Sequence, residues 1–155
     1  MQIRIAKTDS EISACYPAMN ELRPHIGKEE FLPVVRKQEE NGYRLVFVQS
    51  PEGVVAVAGF RVSENMAWGR YLYVDDLVTL SVHRSKGHGS KLLAWLCKYA
   101  GKEGCSHVHL DSGSQRKDAH RFYEREGMQS VGLHFMMKVT PNKALQPTAN
   151  AAAEL

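Results

Sequence analysis

Apolar and polar residues alternate along several segments of the chain, and a period of two predicts β-strands. Two of these segments, 43–49 and 54–62, flank the stretch Ser50-Pro51-Glu52-Gly53, whose residue types favour a turn. They are therefore expected to form a hairpin. The full set of predicted strands is 2–7, 43–49, 54–62, 70–80, 106–110, 128–131 and 133–139.

Other segments repeat apolar residues every three to four positions, which is the spacing of an amphipathic helix. The clearest is 88–101, in which leucines share one face and Gly101 is expected to end the helix. Residues 8–10 are all suitable N-caps for a helix that follows them. The other predicted helices are 11–22, then 29–40 with Pro33 near its start or bending it, and 118–126, which Gly127 closes.

The order of these elements predicts the fold class. Between residues 70 and 110 a strand, a helix and a strand follow one another, and such a crossover joins two parallel strands of one sheet. The remaining order is mixed, so the sequence predicts an α/β or α+β fold with one central sheet. We expect a single domain over residues 1–140. Residues 141–155 are polar, alanine-rich and aperiodic, so we expect a disordered tail without a role in the chemistry.

Composition narrows the class of protein further. The chain has 155 residues, 43% of them hydrophobic and 24% charged, which suits one globular domain with its own core. The net charge of +3 is too small and too dispersed to indicate a nucleic-acid partner. No apolar stretch reaches the roughly 18 residues of a membrane-spanning helix, and the N-terminus lacks the apolar core of a signal peptide. These features lead us to expect a cytoplasmic protein without a membrane partner.

Cysteine and histidine usage argues against disulfides and metals. Cys15, Cys97 and Cys105 form an odd set without a CxxC pair, so reduced thiols are expected, with Cys97 packed on the apolar face of its helix. His107 and His109 share one face of a strand, but no third or fourth ligand stands at metal spacing. No metal site is predicted.

A glycine-rich turn, RSKGHGS, stands where the strand 70–80 passes into the helix 88–101. The start of a helix carries partial positive charge and about four unpaired N–H groups, so it binds phosphate. Glycines let an anion approach the backbone, and the neighbouring bases and hydroxyls add charge and donors. The turn suits a pyrophosphate, although a tight turn with surface bases explains it equally well in isolation. Its residues are Arg84, Ser85, Lys86, Gly87, His88, Gly89 and Ser90.

Two known phosphate-binding motifs do not fit this turn. The pattern GxxxxGK(S/T) of a Walker loop is absent. The dinucleotide fingerprint GxGxxG would need a third glycine where Leu92 stands.

Three segments in a fixed order change the interpretation of the turn. DDLVTL, 75–80, ends a predicted strand, RSKGHG, 84–89, fits (R/Q)xxGx(G/A), and AHRFYEREGM, 119–128, is similar to AxxFYExxGF. In order and spacing, across residues 73–138, they resemble the GCN5-related N-acetyltransferase (GNAT) family. The resemblance implies a single central mixed sheet, mostly antiparallel, with a splayed parallel strand pair and about four flanking helices.

The resemblance also implies a co-substrate, acetyl-CoA, whose pyrophosphate would lie on the turn. The pantetheine arm would pair with backbone groups of Leu77, Val78 and Thr79, much as a peptide adds to a sheet edge. The family often has an asparagine seven residues before its conserved tyrosine. Here Arg116 takes that position, so either Arg116 contacts the cofactor itself or that contact is lost.

Acetyl transfer to an amine needs a base for the ammonium and an acid for the leaving thiolate. The resemblance implies that Tyr123 is the general acid. The alternative is a core tyrosine beside Phe122, where phenylalanine would serve equally well. The resemblance also makes Asp75 the candidate base, directly or through a water, because it aligns with an acidic position that some members of the family use to handle the amine. Because Asp75 and Asp76 are neighbours on one strand, they are expected to point to opposite faces, with Asp76 paired to a cation.

The acceptor is expected to be a primary amine of a small molecule or peptide, with a homodimer possible. An aminoglycoside, a polyamine, an amino acid and a protein amino group all stay open. Trp68 either forms a wall of the acceptor site or only covers the sheet. His120 and His134 either line the acceptor pocket, act as bases near pH 7, or have a structural role alone. Two hypotheses from other classes of protein also stay open: a non-catalytic acyl-CoA-binding sensor module and a nucleotide-phosphate binder of another fold.

Overall fold

The computed structural model describes residues 1–142. Residues 1–115 form one compact unit, and residues 116–142 belong to a second. The predicted tail, 141–155, lies outside the described residues except for its first two positions. Within the described part, no helix has the length and apolar character needed to cross a bilayer.

The first unit is built on one five-stranded sheet in the order β1-β2-β3-β4-β5. Neighbouring strands from β1 to β4 are antiparallel, and β4 and β5 are parallel. The single, mixed and mostly antiparallel sheet confirms the predicted fold class. The strands are β1 (Gln2–Ile5), β2 (Arg44–Ser50), β3 (Gly53–Asn65), β4 (Gly69–Thr79) and β5 (His107–Leu110).

Four of the five α-helices in the described residues belong to the first unit. The predicted helix 11–22 is two helices in the structure. Pro17 has no N–H to donate to a helical hydrogen bond, and its ring would clash with the carbonyl four residues earlier in a continuous helix. Pro33, by contrast, is accommodated within its helix. The helices are α1 (Asp9–Ala14), α2 (Tyr16–Leu22), α3 (Lys28–Glu39), α4 (His88–Lys102) and, in the second unit, α5 (Lys117–Arg125). A short 3-10 helix spans Ser81–His83.

Two hydrophobic cores lie on opposite faces of the sheet. Helices α1 to α3 pack on one face around Phe47, and α4 packs on the other around Phe60. Cys97 lies on the exposed side of α4, so the expectation that it packs in the core is wrong. Gly101 lies inside α4, and the chain turns out of the helix at Gly104, whose φ is 75°.

The two short strands predicted for 128–131 and 133–139 are wrong. Residues 128–142 form no strand or helix, and the large apolar side chains between Val131 and Val139 are exposed. A segment with alternating apolar residues favours a half-buried, pleated surface. It forms a strand only where a neighbouring strand supplies partners for its backbone hydrogen bonds. In the described part of the chain, no such pairing forms for this segment.

Candidate active site

The end of β4 has one edge without a strand partner among the described residues. β4 pairs with β5 only from Tyr71 to Val74, whereas its pairing with β3 continues to Thr79. β5 ends at Leu110, opposite Val74, so it offers β4 no strand partner from Asp75 to Thr79. Such an edge presents unpaired N–H and C=O groups to any extended amide-bearing ligand.

The ladder shows which backbone groups face this edge. The N–H of Leu80 donates to the carbonyl of Val55 on β3, and hydrogen-bonded pairs alternate along an antiparallel ladder. Val78 therefore directs its backbone groups to β3. Leu77 and Thr79 direct their backbone N–H and C=O groups to the open edge.

The glycine-rich turn forms the N-terminus of α4. Gly87 is the N-cap residue with φ at 79°, a left-handed conformation that glycine adopts without strain. Ser85 is also left-handed, with φ at 61°. No side chain caps the helix at Gly87, and a helix N-terminus is a place where backbone N–H groups bind anions.

Charges around the turn are positive. Arg84 lies 3.6 Å from the carboxylate of Glu21, which also accepts hydrogen bonds from the N–H and the hydroxyl of Ser81. Glu21 therefore ties α2 to the loop that leads into the turn. Lys86 and Lys91 form no ion pair within residues 1–142, and the ammonium of Lys91 lies 3.9 Å from the sulfur of Met1.

His88 is buried at the start of α4, and its Nδ1 has no partner within the described residues. Burial lowers the pKa of the imidazole, and the charges of Lys91, His83 and Lys86 lower it further. The ring is therefore neutral near pH 7, and it packs beneath the turn without adding charge to it.

β4 carries a β-bulge at Asp75. Val74 lies opposite Phe60 and Asp76 lies opposite Gly59, which leaves Asp75 without a partner on β3. A bulge places two residues against one and re-aims a side chain. Both carboxylates consequently bond to arginines on the α1–α3 face of the sheet. The expectation that Asp75 and Asp76 point to opposite faces is wrong for this reason.

Asp76 is held by two donors. Arg23, at the end of α2, donates to one oxygen over 2.9 Å, and the hydroxyl of Tyr43 donates to the other over 2.8 Å. Burial and the carboxylate raise the pKa of Tyr43 well above its ordinary value, so the phenol stays a donor. Gly59 makes room for this ring, because a Cβ there would lie 1.8 Å from the Tyr43 hydroxyl. The predicted pairing of Asp76 with a cation is confirmed.

Asp75 binds Arg61 on β3. The terminal nitrogen Nη2 of Arg61 lies 2.7 Å from one carboxylate oxygen of Asp75 and 2.8 Å from the amide oxygen of Gln38. The same guanidinium stands over the ring of Tyr43, which places it on the α1–α3 face. Burial raises the pKa of Asp75 above its ordinary value, and the hydrogen bonds and charge of Arg61 offset only part of that rise.

The second unit holds Tyr123 and Arg116. Tyr123 lies on α5, and burial raises the pKa of its phenol while the charge of Arg116 opposes the rise. Arg116 is the N-cap residue of α5, so Asp118 lies in the first turn and pairs with Arg121 instead of capping the helix. Gly127, with φ at 91°, ends the helix as predicted.

A family model shows what the fold and these segments belong to. The model of the acetyltransferase (GNAT) family matches residues 8–128, more than half of the chain. This chain belongs to that family.

Relatives agree with this assignment. A protein named as an uncharacterized N-acetyltransferase, YhdJ of Bacillus subtilis (strain 168), is 37% identical over 114 residues, which are 73% of this chain and 80% of that protein. Aminoalkylphosphonate N-acetyltransferase of Salmonella typhimurium (strain LT2) is 39% identical over 62 residues, 40% of each chain. The protein is therefore an N-acetyltransferase.

A solved structure shares the fold. AAC(6')-Iy, solved in complex with the bisubstrate analogue CoA-S-monomethyl-acetylneamine, superposes with a TM-score of 0.76. The match covers 90% of this chain and 98% of that one, at 11% identity. An identity this low shows the fold alone.

Within the first unit, the acetyltransferase brings together the turn at 84–90, the open edge of β4 and the bulge at Asp75. Sequence reasoning missed Arg23, Tyr43 and Arg61. Two adjacent aspartates on a strand signal that cations must lie nearby. Arg23 lies 52 residues before Asp75 and 53 before Asp76, and Arg61 lies 14 before Asp75, so only the fold shows that these arginines are the partners.

The two histidines of β5 lie next to an aromatic ring. The rings of His107 and His109 lie 5.5 Å apart, and Trp68 stacks on His109 at 3.8 Å between centroids. No group of three potential metal ligands occurs in residues 1–142. Trp68 thus covers the β4–β5 pair.

Proposed function

We propose that this acetyltransferase moves the acetyl group of acetyl-CoA to a primary amine of a small molecule or peptide, by direct attack in a ternary complex. The observation that carries the proposal is the juxtaposition of the open β4 edge with an uncapped, basic helix N-terminus. The AAC(6')-Iy structure, which contains a CoA bisubstrate analogue, supports the choice of co-substrate. A non-catalytic acyl-CoA-binding module would show only slow thioester hydrolysis with every amine.

The co-substrate would be held in two places. Backbone N–H groups at 87–90, together with Arg84, Lys86 and Ser90, would bind the pyrophosphate, and Ser85 shapes the turn. Leu77 and Thr79 would pair with the amides of the pantetheine arm. Arg116 would add a donor in place of the family's asparagine.

The chemistry then needs two proton transfers. The amine nitrogen attacks the thioester carbonyl, the C–S bond breaks, and the sulfur leaves as a thiolate. Tyr123 would donate its proton to that thiolate, since a phenol of raised pKa is protonated at neutral pH. Asp75 would receive the proton that the amine loses, directly or through a water.

Acetyl-CoA is expected to raise the melting temperature of the protein. A ligand that binds only the native state, at a hundred times its Kd, adds about 2.7 kcal/mol to the free energy of unfolding. For a chain of this length that is a rise of about 5–10 °C. Differential scanning calorimetry measures the melting temperature with acetyl-CoA and, for comparison, with ATP. Stabilisation by ATP alone would favour a nucleotide-phosphate binder instead.

The acidic limb of the pH profile of kcat/KM is expected to follow the ionisation of Asp75. Its folded-state pKa is raised and the base must be ionised, so activity falls on acidification at a higher pH than for an ordinary aspartate. Arg61 lowers this pKa, so Arg61→Gln is expected to move the acidic limb to still higher pH. Arg4→Gln, which breaks an ion pair on β1, is the control. An acidic limb that stays in place in Arg61→Gln would contradict the role of Asp75.

A further inference from the structure

Four charged side chains cluster on the α1–α3 face beside the open half of β4. Two are the carboxylates of Asp75 and Asp76, and two are the guanidinium groups of Arg23 and Arg61. Their formal charges cancel. The site therefore does not attract an acceptor by net negative charge, as a site built for polyamines would.

The carboxylates are already occupied. Asp76 offers one oxygen to Arg23 and the other to Tyr43, and its side chain is only 13% exposed. Both oxygens of Asp75 face the Nε of Arg61, at 3.1 and 3.3 Å. A second positive charge on an acceptor would find no unpaired carboxylate here, and Asp75 retains only its capacity to take a proton.

Arg23 has binding capacity left. Its Nε binds Asp76 and its Nη2 donates to the backbone carbonyl of Asp75 over 3.1 Å. The other terminal nitrogen, Nη1, has no partner within residues 1–142, and 40% of the side chain is exposed. The guanidinium is held rigidly by two contacts, so it presents its remaining N–H groups at a fixed place next to Asp75.

We propose that the acceptor carries an anionic group a few atoms from its amine, and that Arg23 binds this group while the amine lies at Asp75. The inference rests on the proposed function and names the acceptor class for the same site. An ordered guanidinium with donors to spare binds carboxylate, sulfonate and phosphonate oxygens alike. The three groups share anionic oxygens, but the carboxylate is planar whereas the sulfonate and the phosphonate are tetrahedral, so the test compares one acceptor of each kind. Arg23 thereby becomes a residue that determines specificity.

The test compares matched acceptors on the wild-type protein. The anionic set is 3-aminopropanoate, 2-aminoethanesulfonate and 2-aminoethylphosphonate, the neutral match is propylamine, and 1,3-diaminopropane carries a second positive charge. CoA thiol release is measured against acceptor concentration. A charge-assisted hydrogen bond predicts that the best anionic acceptor has a kcat/KM about 10- to 100-fold above that of propylamine. The diamine is expected to do no better than propylamine.

Variants of Arg23 test the assignment to this residue. In Arg23→Gln the ratio of kcat/KM between the anionic acceptor and propylamine is expected to fall to about one, and in Arg23→Lys to fall part of the way. The ratio is the readout because any general damage to the site lowers both values together. Arg4→Gln, which removes an arginine of similar exposure from another ion pair, is expected to leave the ratio unchanged. If Arg23→Gln fails to fold, the lysine variant and the wild-type series decide.

The outcomes separate the two proposals. Propylamine or the diamine used as well as the anionic set would overturn this inference and leave acetyl transfer intact. A preference for anions that persists in Arg23→Gln would overturn the role of Arg23. Thiol release with none of these amines, nor with a wider amine panel, would count against the proposed function itself.

Discussion

Gly59→Ala is expected to cost about 3–5 kcal/mol of the free energy of unfolding. A Cβ at this position would lie 1.8 Å from the hydroxyl oxygen of Tyr43 and 2.3 Å from its Cζ, both far inside contact distance. The ring is buried between the sheet and α1–α3, so it has no open space to enter. Overpacking of this kind costs about 1–3 kcal/mol, and displacing the hydroxyl adds the loss of its hydrogen bond to Asp76.

Urea denaturation of Gly59→Ala measures this cost, with Gly101→Ala as the matched control. Gly101 lies inside α4, and nothing stands within 4 Å of where its Cβ would be. Alanine is favoured over glycine in a helix, so the control is expected to gain about 0.5–1 kcal/mol. Equal stability of the two variants would contradict the packing of Tyr43 against β3, and with it the arrangement that anchors Asp76.

Tyr123→Phe is expected to lower kcat about 10²- to 10⁴-fold, the range that a general acid contributes. The substitution removes the proton donor and keeps the ring, so the Kd for acetyl-CoA is expected to stay within about twofold. Burial raises the pKa of this phenol above its ordinary value, and the wild-type enzyme therefore keeps its acid protonated at neutral pH.

Single-turnover kinetics and calorimetric titration separate the two effects. Tyr99→Phe is the control, since Tyr99 on α4 packs its ring against Trp95 of the same helix and against Phe60 of β3. That variant is expected to retain the wild-type kcat. If Tyr123→Phe also retained it, the phenol would be a packing residue and another group would protonate the thiolate.

The sequence predicts most of the first unit because its signals are local. The alternation in 43–49 and 54–62 and the turn between them specify a hairpin without reference to the rest of the chain. Gly87 and Gly104 adopt positive φ at the start and at the end of α4. The sequence places the end of this helix three residues earlier, at Gly101. The crossover from β4 to β5 specifies the parallel pair.

The features that escaped prediction depend on distant contacts. The bulge at Asp75 arises from the register between β3 and β4, and one unpaired residue reversed the expected direction of a carboxylate. The partners Arg23 and Arg61 are selected by the fold and carry no spacing signal. Apolar alternation in 133–139 predicted a strand, but alternation specifies a preference for pairing and does not supply the partner.

The most direct test of the central claim is a crystal structure of the protein soaked with acetyl-CoA. We expect phosphate oxygens within hydrogen-bond distance of the backbone N–H groups at 87–90, and a pantetheine amide paired with Leu77 or Thr79 on the open edge of β4. Density for the coenzyme elsewhere, or a fully loaded crystal with this edge and the start of α4 empty, would contradict the account.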